Sequence, residues 1–447
     1  MPSPMNFITI CLHSLDMRDF HSTLRDTPFL DELRARSVFI PMGRGQGHHE
    51  SDSLHAELTG QWTARASNSV LDAQGYHAPD QFRLPETIIE SLMRSGYENL
   101  PAIAFHPRFY RGTYAVQGGM GRYWLKDEPE RMEQFGEDSD LDLDGWIDRV
   151  RDTTGPFFAP IFLRETHRPW AQNVELFALM GLGSTLRRML RKRMGLPTHW
   201  PHDAYCARRA ALEKPDEFAA LRRRGLAKAD RIVRRIFEAT RDIKNVTYLV
   251  YSNHGEVFDH FRYNQRYPYS VVDGRRMIEG TSHGLLPYET VYANMQMWVI
   301  PGRPARVMRG TGRSIDIAPT VRELAAVEPA VEPGVYDGES MLPCFDEGFF
   351  PERVRYAEAV QGAGCLSMVR EDGFKFLSVG ADVEKEDSTF GKRGFPGHRL
   401  AAFDLKTDPY EYVNLIDTPQ GRDLLDWAIH THGDLKKGTR RGASRRG

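Results

Sequence analysis

Three apolar runs in this chain each give way to a histidine within four residues. Phe7 to Leu12 leads into His13-Ser14-Leu15-Asp16. Pro156 to Leu163 leads into Arg164-Glu165-Thr166-His167-Arg168-Pro169-Trp170. Val246 to Ser252 leads into Asn253-His254-Gly255-Glu256. A fourth histidine stands in Ser282-His283-Gly284, and an acid–hydroxyl pair, Glu50-Ser51, follows the Gly- and His-rich stretch Gly43 to His49. Imidazoles serve near neutral pH as general acids and bases, bind anions when protonated and ligate metals when neutral. A carboxylate next to a hydroxyl adds a base or a nucleophile. Taken singly, a histidine at a strand end is more often a hydrogen-bonding loop residue than a ligand. Glu50 reads equally well as an acid favoured by a helix N-terminus, and Ser51 as an N-cap.

The elements that must carry these residues follow from pattern. The three apolar runs read as buried strands, and in open α/β sheets ligands sit at the C-terminal ends of strands. Thr27-Pro-Phe-Leu-Asp-Glu-Leu reads as a capped helix start with Pro28 in the first turn. Ser37 to Pro41 is a further short strand, and Ser53 to Leu58 is a helical segment closed by Thr59-Gly60. From Pro215 to Ile243 the spacing of Ala229, Ile232, Val233, Ile236 and Phe237 predicts a long helix with one buried stripe. Beyond residue ~345 the pieces shorten to strand-like runs such as Gly373 to Ser378 and Leu400 to Leu405, which predicts a small α+β unit. The expected organisation is a core over 1–345 with an Arg-rich insertion at about 180–215, a subdomain over 346–435 and a disordered basic tail over 436–447.

The bulk properties narrow the class of partner. The chain has 447 residues, 40% apolar and 27% charged, with a net charge of −2. That balance gives no global field for nucleic acid or a membrane surface. Four cysteines lie far apart without a CxxC pair, so neither a zinc knuckle nor a disulfide framework is suggested. The N-terminus has no basic n-region or long apolar h-region, and no window approaches the ~20 apolar residues of a membrane span. The expectation is a cytoplasmic protein with a small anionic substrate, no nucleic-acid or membrane partner, and an oligomeric state left open.

The order of these pieces resembles the sulfatases and related phosphodiesterases of the alkaline phosphatase superfamily. Thr27 to Leu33 is similar to TPNLDRLA, Ser53 to Gly60 to SLASLLTG, and Ser252-Asn253-His254-Gly255-Glu256 to SDHGE. His167 and Pro169 match an HxPY loop, and Asp230 matches the aspartate of the family's long helix. Ser282-His283-Gly284 with Tyr288-Glu289 resembles HG…LYEE, and Ser314 to Thr320 resembles SLVDIAPT. Asp337 to Ser340 resembles the start of DGRSL, and Phe403 to Leu415 resembles YDLxxDPxExxNL. The resemblance implies a central, mostly parallel sheet flanked by helices, with a small C-terminal α+β subdomain. It also implies displacement at a sulfate, phosphate or phosphonate ester, with divalent metal held by a first aspartate and an Asp-His pair.

Here the first ligand position is His13 and the pair is Asn253-His254. The nucleophile position, counted back from Thr59-Gly60, falls on Glu50, so no formylglycine is expected. Three readings stay open. In one, His13, Asn253 and His254, with Glu50, rebuild a metal site suited to Zn, Mn or Fe rather than Ca. There a metal-bound water or Ser51 attacks, His167 contacts the transferring group or protonates the leaving group, and His283 supports its charge. In the second, the histidines and Glu50 do metal-free acid–base chemistry, as in a transferase or lyase. In the third, the fold is kept as an inactive pseudoenzyme that binds a ligand or partner.

Overall fold

The computed structural model describes residues 4–47, 50–62, 86–103, 143–163, 165–167, 215–256, 270–272, 275–277, 288–328, 337–359, 365–380, 398–409 and 411–436. Among these, the side chains of Glu50, Ser51, Asp52 and His55 are not described. The strands are β1 (Asn6–Leu12), β2 (Val38–Arg44), β3 (Glu98–Asn99), β4 (Ala102–Ile103), β5 (Phe157–Leu163), β6 (Val246–Tyr251), β7 (Ser270–Val272), β8 (Arg275–Met277), β9 (Ala293–Val299), β10 (Arg306–Val307), β11 (Gly312–Arg313), β12 (Arg355–Ala359), β13 (Cys365–Val369), β14 (Phe374–Gly380) and β15 (His398–Asp404). The helices are α1 (Met17–His21), α2 (Pro28–Ala35), α3 (Glu50–Thr59), α4 (Ile88–Arg94), α5 (Leu143–Asp152), α6 (Pro215–Thr240), α7 (Glu289–Tyr292), α8 (Ile317–Ala325), α9 (Leu342–Glu347) and α10 (Pro419–Lys436).

A nine-stranded sheet in the order β10-β2-β9-β6-β1-β5-β3, with β11 on β2 and β4 on β5, forms the centre. Only β9 runs antiparallel to its neighbours, β2 and β6. The strand β1 lies between β5 and β6 and is parallel to both, so these three strand ends open on one edge. The alternation along β1 explains the layering. Phe7 and Cys11 join the core beneath α3, α4 and α8, with Leu54, Leu58, Ile89 and Val321. Ile8, Ile10 and Leu12 face α2, α5 and α6, with Leu30, Trp146, Val233 and Ile236. A strand apolar on both faces is what a parallel sheet covered by helices on both sides requires.

Two local features depart from the sequence pattern. Thr27 precedes α2 but makes no side-chain cap. The orphan N–H groups at that end are met instead by Asp230 on α6, whose carboxylate accepts from Leu30 N at 2.6 Å and Phe29 N at 3.3 Å. A distant aspartate thus caps the helix and ties it to α6. The long helix α6 carries the expected buried stripe and ends at Thr240, whose hydroxyl bonds Ile236 O and the Tyr248 phenol.

The strands β12-β13-β14-β15 form a separate antiparallel sheet, and β7 pairs with β8. Leu424, Leu425 and Ala428 of α10 pack on Tyr356, Met368, Phe376 and Ala402 of the four-stranded sheet. Among the described residues, no helix is long and apolar enough to cross a membrane. The Arg-rich stretch at about 180–215 and the tail from 437 onward lie outside the described residues.

Candidate active site

His13 follows β1 directly and is fully buried. Its N–H donates to Leu163 O at 3.1 Å, continuing the β1–β5 ladder, and its carbonyl accepts from Thr166 Oγ1 at 2.7 Å. The chain then turns sharply. Ser14 has φ 55°, a left-handed conformation uncommon outside glycine. Asn253 holds that turn: its Oδ1 accepts from Ser14 N at 3.1 Å and from His254 N at 2.9 Å. Two backbone donors on one atom fix the orientation of the amide, because only an oxygen can accept both. The ends of β1 and β6 are therefore clamped together through a single side-chain oxygen.

His254 is buried, with Nδ1 at 3.0 Å from Gly255 O and 3.4 Å from Ser14 Oγ. A carbonyl can only accept, so Nδ1 carries a proton, and it is Nε2 that is left as the ring's second site for a proton or a metal. Gly255 is required here: a Cβ would lie 2.3 Å from Thr290 O, and one on Gly45 would lie 2.5 Å from Asn253 O. The loop after β6 is thus pressed between the segment after β2 and the turn of α7.

The three imidazoles meet. The His13 and His167 rings are stacked, with centroids 4.4 Å apart and planes 20° apart. His254 presents an edge to His13, at 5.2 Å and 84°. Glu165, a candidate to orient His167, instead lies 3.5 Å from Lys228 Nζ on α6. Asp16 is the N-cap of α1, accepting from Arg18 N at 2.8 Å. Glu50 and Ser51 fall in the first turn of α3, whose Ser53 Oγ donates to Gly47 O at 3.1 Å. His283, His48, His49 and His260 lie outside the described residues.

The donor chemistry bears on a metal. Asn253 has both lone pairs of Oδ1 engaged by backbone N–H groups, and His13 lies flat against His167. Among the described residues, no group of three or more His, Cys, Asp or Glu side chains could hold a metal ion. The described residues do not fit a hard, oxygen-ligated cation, which needs several carboxylate or carbonyl oxygens.

One feature escaped sequence reasoning. Glu57 on α3 is 1% exposed, and neither carboxylate oxygen has a hydrogen bond of good geometry. It lies beside Cys11 and Tyr251, which are paired across β1 and β6. Burial pushes its carboxyl up from 4.5 to about 8, against a smaller lowering by the Tyr251 hydroxyl. Burial likewise raises the Cys11 thiol and the Tyr251 phenol, and Glu57 adds to both shifts. The signal was present in the sequence, since SLASLLTG has leucine at this position.

No family model matches the chain, and no curated protein matches it. Solved structures do. One is a protein in complex with its substrate D-glucosamine-2-N,6-O-disulfate, at TM-score 0.63 and 14% identity over 99% of this chain and 100% of that one. A second is the phosphonate monoester hydrolase of Agrobacterium radiobacter, at TM-score 0.58 and 14% identity over 98% and 96%. A third is a putative sulfatase from Bacteroides thetaiotaomicron, at TM-score 0.57 and 16% identity over 99% and 96%. The nine-stranded mostly parallel sheet, its flanking helices and the separate antiparallel sheet are accounted for together: the chain has the fold of the solved sulfatase and phosphonate monoester hydrolase structures.

Proposed function

We propose that this protein is a sulfatase-like hydrolase of a sulfate, phosphate or phosphonate ester, and that it grips the anionic group with imidazoles in place of the family's carboxylate-held metal. The observation that carries the reading is the His13–His167–His254 cluster at three adjacent strand ends. Two stacked imidazoles repel when both are protonated, and an anion placed against them relieves that repulsion. An anionic ester is therefore the ligand that such a cluster selects.

In this reading His167 gives its proton to the leaving oxygen of the ester. Glu50 takes the proton of the attacking water, or that of the Ser51 hydroxyl, whose sulfo- or phosphoryl-serine ester a second water then hydrolyses. His283 would support the charge that develops on the transferring group. The competing arrangement is a Zn, Mn or Fe ion held by His13, Asn253 and His254 with Glu50. A chelator separates the two.

The test is a panel of aryl sulfates, phosphate mono- and diesters and phosphonates, run before and after exhaustive dialysis against chelator. Turnover that survives dialysis and falls by about a hundredfold or more in His167→Ala supports the proposal. Turnover that disappears on dialysis and returns with zinc or manganese transfers the function to the metal-held arrangement. No turnover, with an unmoved melting temperature in every ligand, would leave a catalytically silent relative and refute both.

A further inference from the structure

Three buried charged side chains, Arg44, Lys375 and Glu411, meet a half-buried fourth, Glu289, where the central sheet joins the C-terminal sheet. Arg44 ends β2, Glu289 begins α7, Lys375 lies in β14 and Glu411 sits in the loop after β15. Arg44 Nη2 and Lys375 Nζ lie 2.9 and 3.0 Å from Glu289 Oε1. Lys375 Nζ also lies 2.5 Å from Glu411 Oε1, whose Oε2 accepts from Glu289 N at 2.8 Å. Arg44 bonds Ser367 Oγ in β13 at 2.8 Å and stacks over the Tyr292 ring. Lys375 is 0% exposed, Glu411 1% and Arg44 2%. Glu411 reaches this position from a left-handed backbone, φ 59°.

Buried charges are costly, so an assembly of this kind is a weak argument for stability alone. What it grips is more informative. The helix α7 is a single turn, and its carbonyls face the site loops. Tyr292 O accepts from Gly45 N at 2.8 Å, and Val291 O accepts from Gly255 N at 2.7 Å. Gly45 lies on the segment that leads to Glu50. Gly255 follows His254. A Cβ on Gly255 would clash with Thr290 O of α7, and one on Gly45 would clash with Asn253 O, so α7 presses on the Gly255 loop and that loop on the Gly45 segment without slack.

We infer that the Arg44–Glu289–Lys375–Glu411 network is a positioning device, through which the C-terminal sheet holds α7 and α7 sets the loops that carry Glu50 and His254. Among the described contacts, none of the four residues meets His13, His167 or His254. They act through two backbone hydrogen bonds. Burial alone would raise the Glu289 carboxyl, but Arg44, Lys375 and Arg355 outweigh it and hold it down at about 2. The carboxylate thus stays charged at any working pH. The inference depends on the proposed function only for the identity of the loops, so its test does not use turnover.

The experiment is amide hydrogen exchange, read by mass spectrometry, on the full chain as wild type, Glu289→Gln and Lys375→Met. The expected result is exchange about tenfold faster or more in peptides covering 44–47 and 252–256, with α2 and α6 unchanged. A rise confined to β12–β15, or none in the folded variants, overturns the inference, because a purely local brace would stop there. Should Lys375→Met fail to fold, Glu411→Gln removes one charge, keeps an acceptor for the Glu289 amide and is read the same way.

Discussion

Glu57→Gln isolates one buried ionisation. The side chain keeps its shape and loses only its proton equilibrium. In the folded protein the carboxyl sits at about 8 against 4.5 when solvated. At about 1.4 kcal/mol per unit, ionising it inside the fold costs on the order of 5 kcal/mol. The sign follows from proton binding. Between pH 4.5 and about 8 the native state keeps a proton that the unfolded chain gives up. This residue's contribution is fully present below pH ~4.5, declines by up to ~1.4 kcal/mol per unit as pH rises, and is lost above ~8. Denaturant unfolding of wild type and Glu57→Gln at pH 5, 6, 7 and 8 provides the comparison. Other titrating groups cancel in the difference between the two proteins. The variant should gain on wild type by several kcal/mol from pH 5 to 8. Parallel pH profiles would show that Glu57 is solvated or paired in the folded state and would refute the reasoning.

Other outcomes follow from the same geometry. Asn253→Ala leaves two buried N–H groups, Ser14 and His254, without their acceptor; a loss of about 2–5 kcal/mol in unfolding free energy is expected. Asn253→Asp retains that acceptor, so its melting temperature should stay far closer to wild type. The double variant His13→Asp/Asn253→Asp restores two carboxylates, and its melting temperature should rise with calcium or manganese by more than wild type does. An equal response in both proteins would count against the charge argument. Asp230→Ala removes the cap of α2 and should cost about 1–3 kcal/mol, measured by thermal or denaturant unfolding.

Much of the frame was legible in the sequence. The runs ending at Leu12, Leu163 and Tyr251 were readable as buried strands because parallel strands are apolar on both faces. The stripe from Ala229 to Phe237 was readable because a helix against a sheet repeats every three or four residues. What pattern could not supply was contact between residues far apart in the chain. His13 and His167 are separated by more than a hundred and fifty positions, and their stacking depends on the crossover that places β5 beside β1. Asp230 read as a family aspartate without a role, and the fold makes it a cap for a helix two hundred residues away. The glutamates of the Tyr288-Glu289 and DPxExxNL pieces were recognisable only as matches. The structure gives them a reason, since both converge on Lys375. Glu57 carried a signal in the leucine that SLASLLTG has at its place, but a carboxylate in a helix reads as surface unless the neighbouring strands are known.

The stacking of His13 on His167 and the edge of His254 have a consequence for how such a site can change. Neighbouring strands in any sheet stand about 4.8 Å apart, and ring separations of 4.4 and 5.2 Å bracket that spacing. The ruler is the backbone, through the β1–β5 and β1–β6 ladders and the turn that Thr166 Oγ1 ties to His13 O. One residue can be exchanged at each strand end while the interval between the groups stays the same. A lineage on this scaffold can therefore rewrite its chemical alphabet letter by letter, because the spacing between letters belongs to the page.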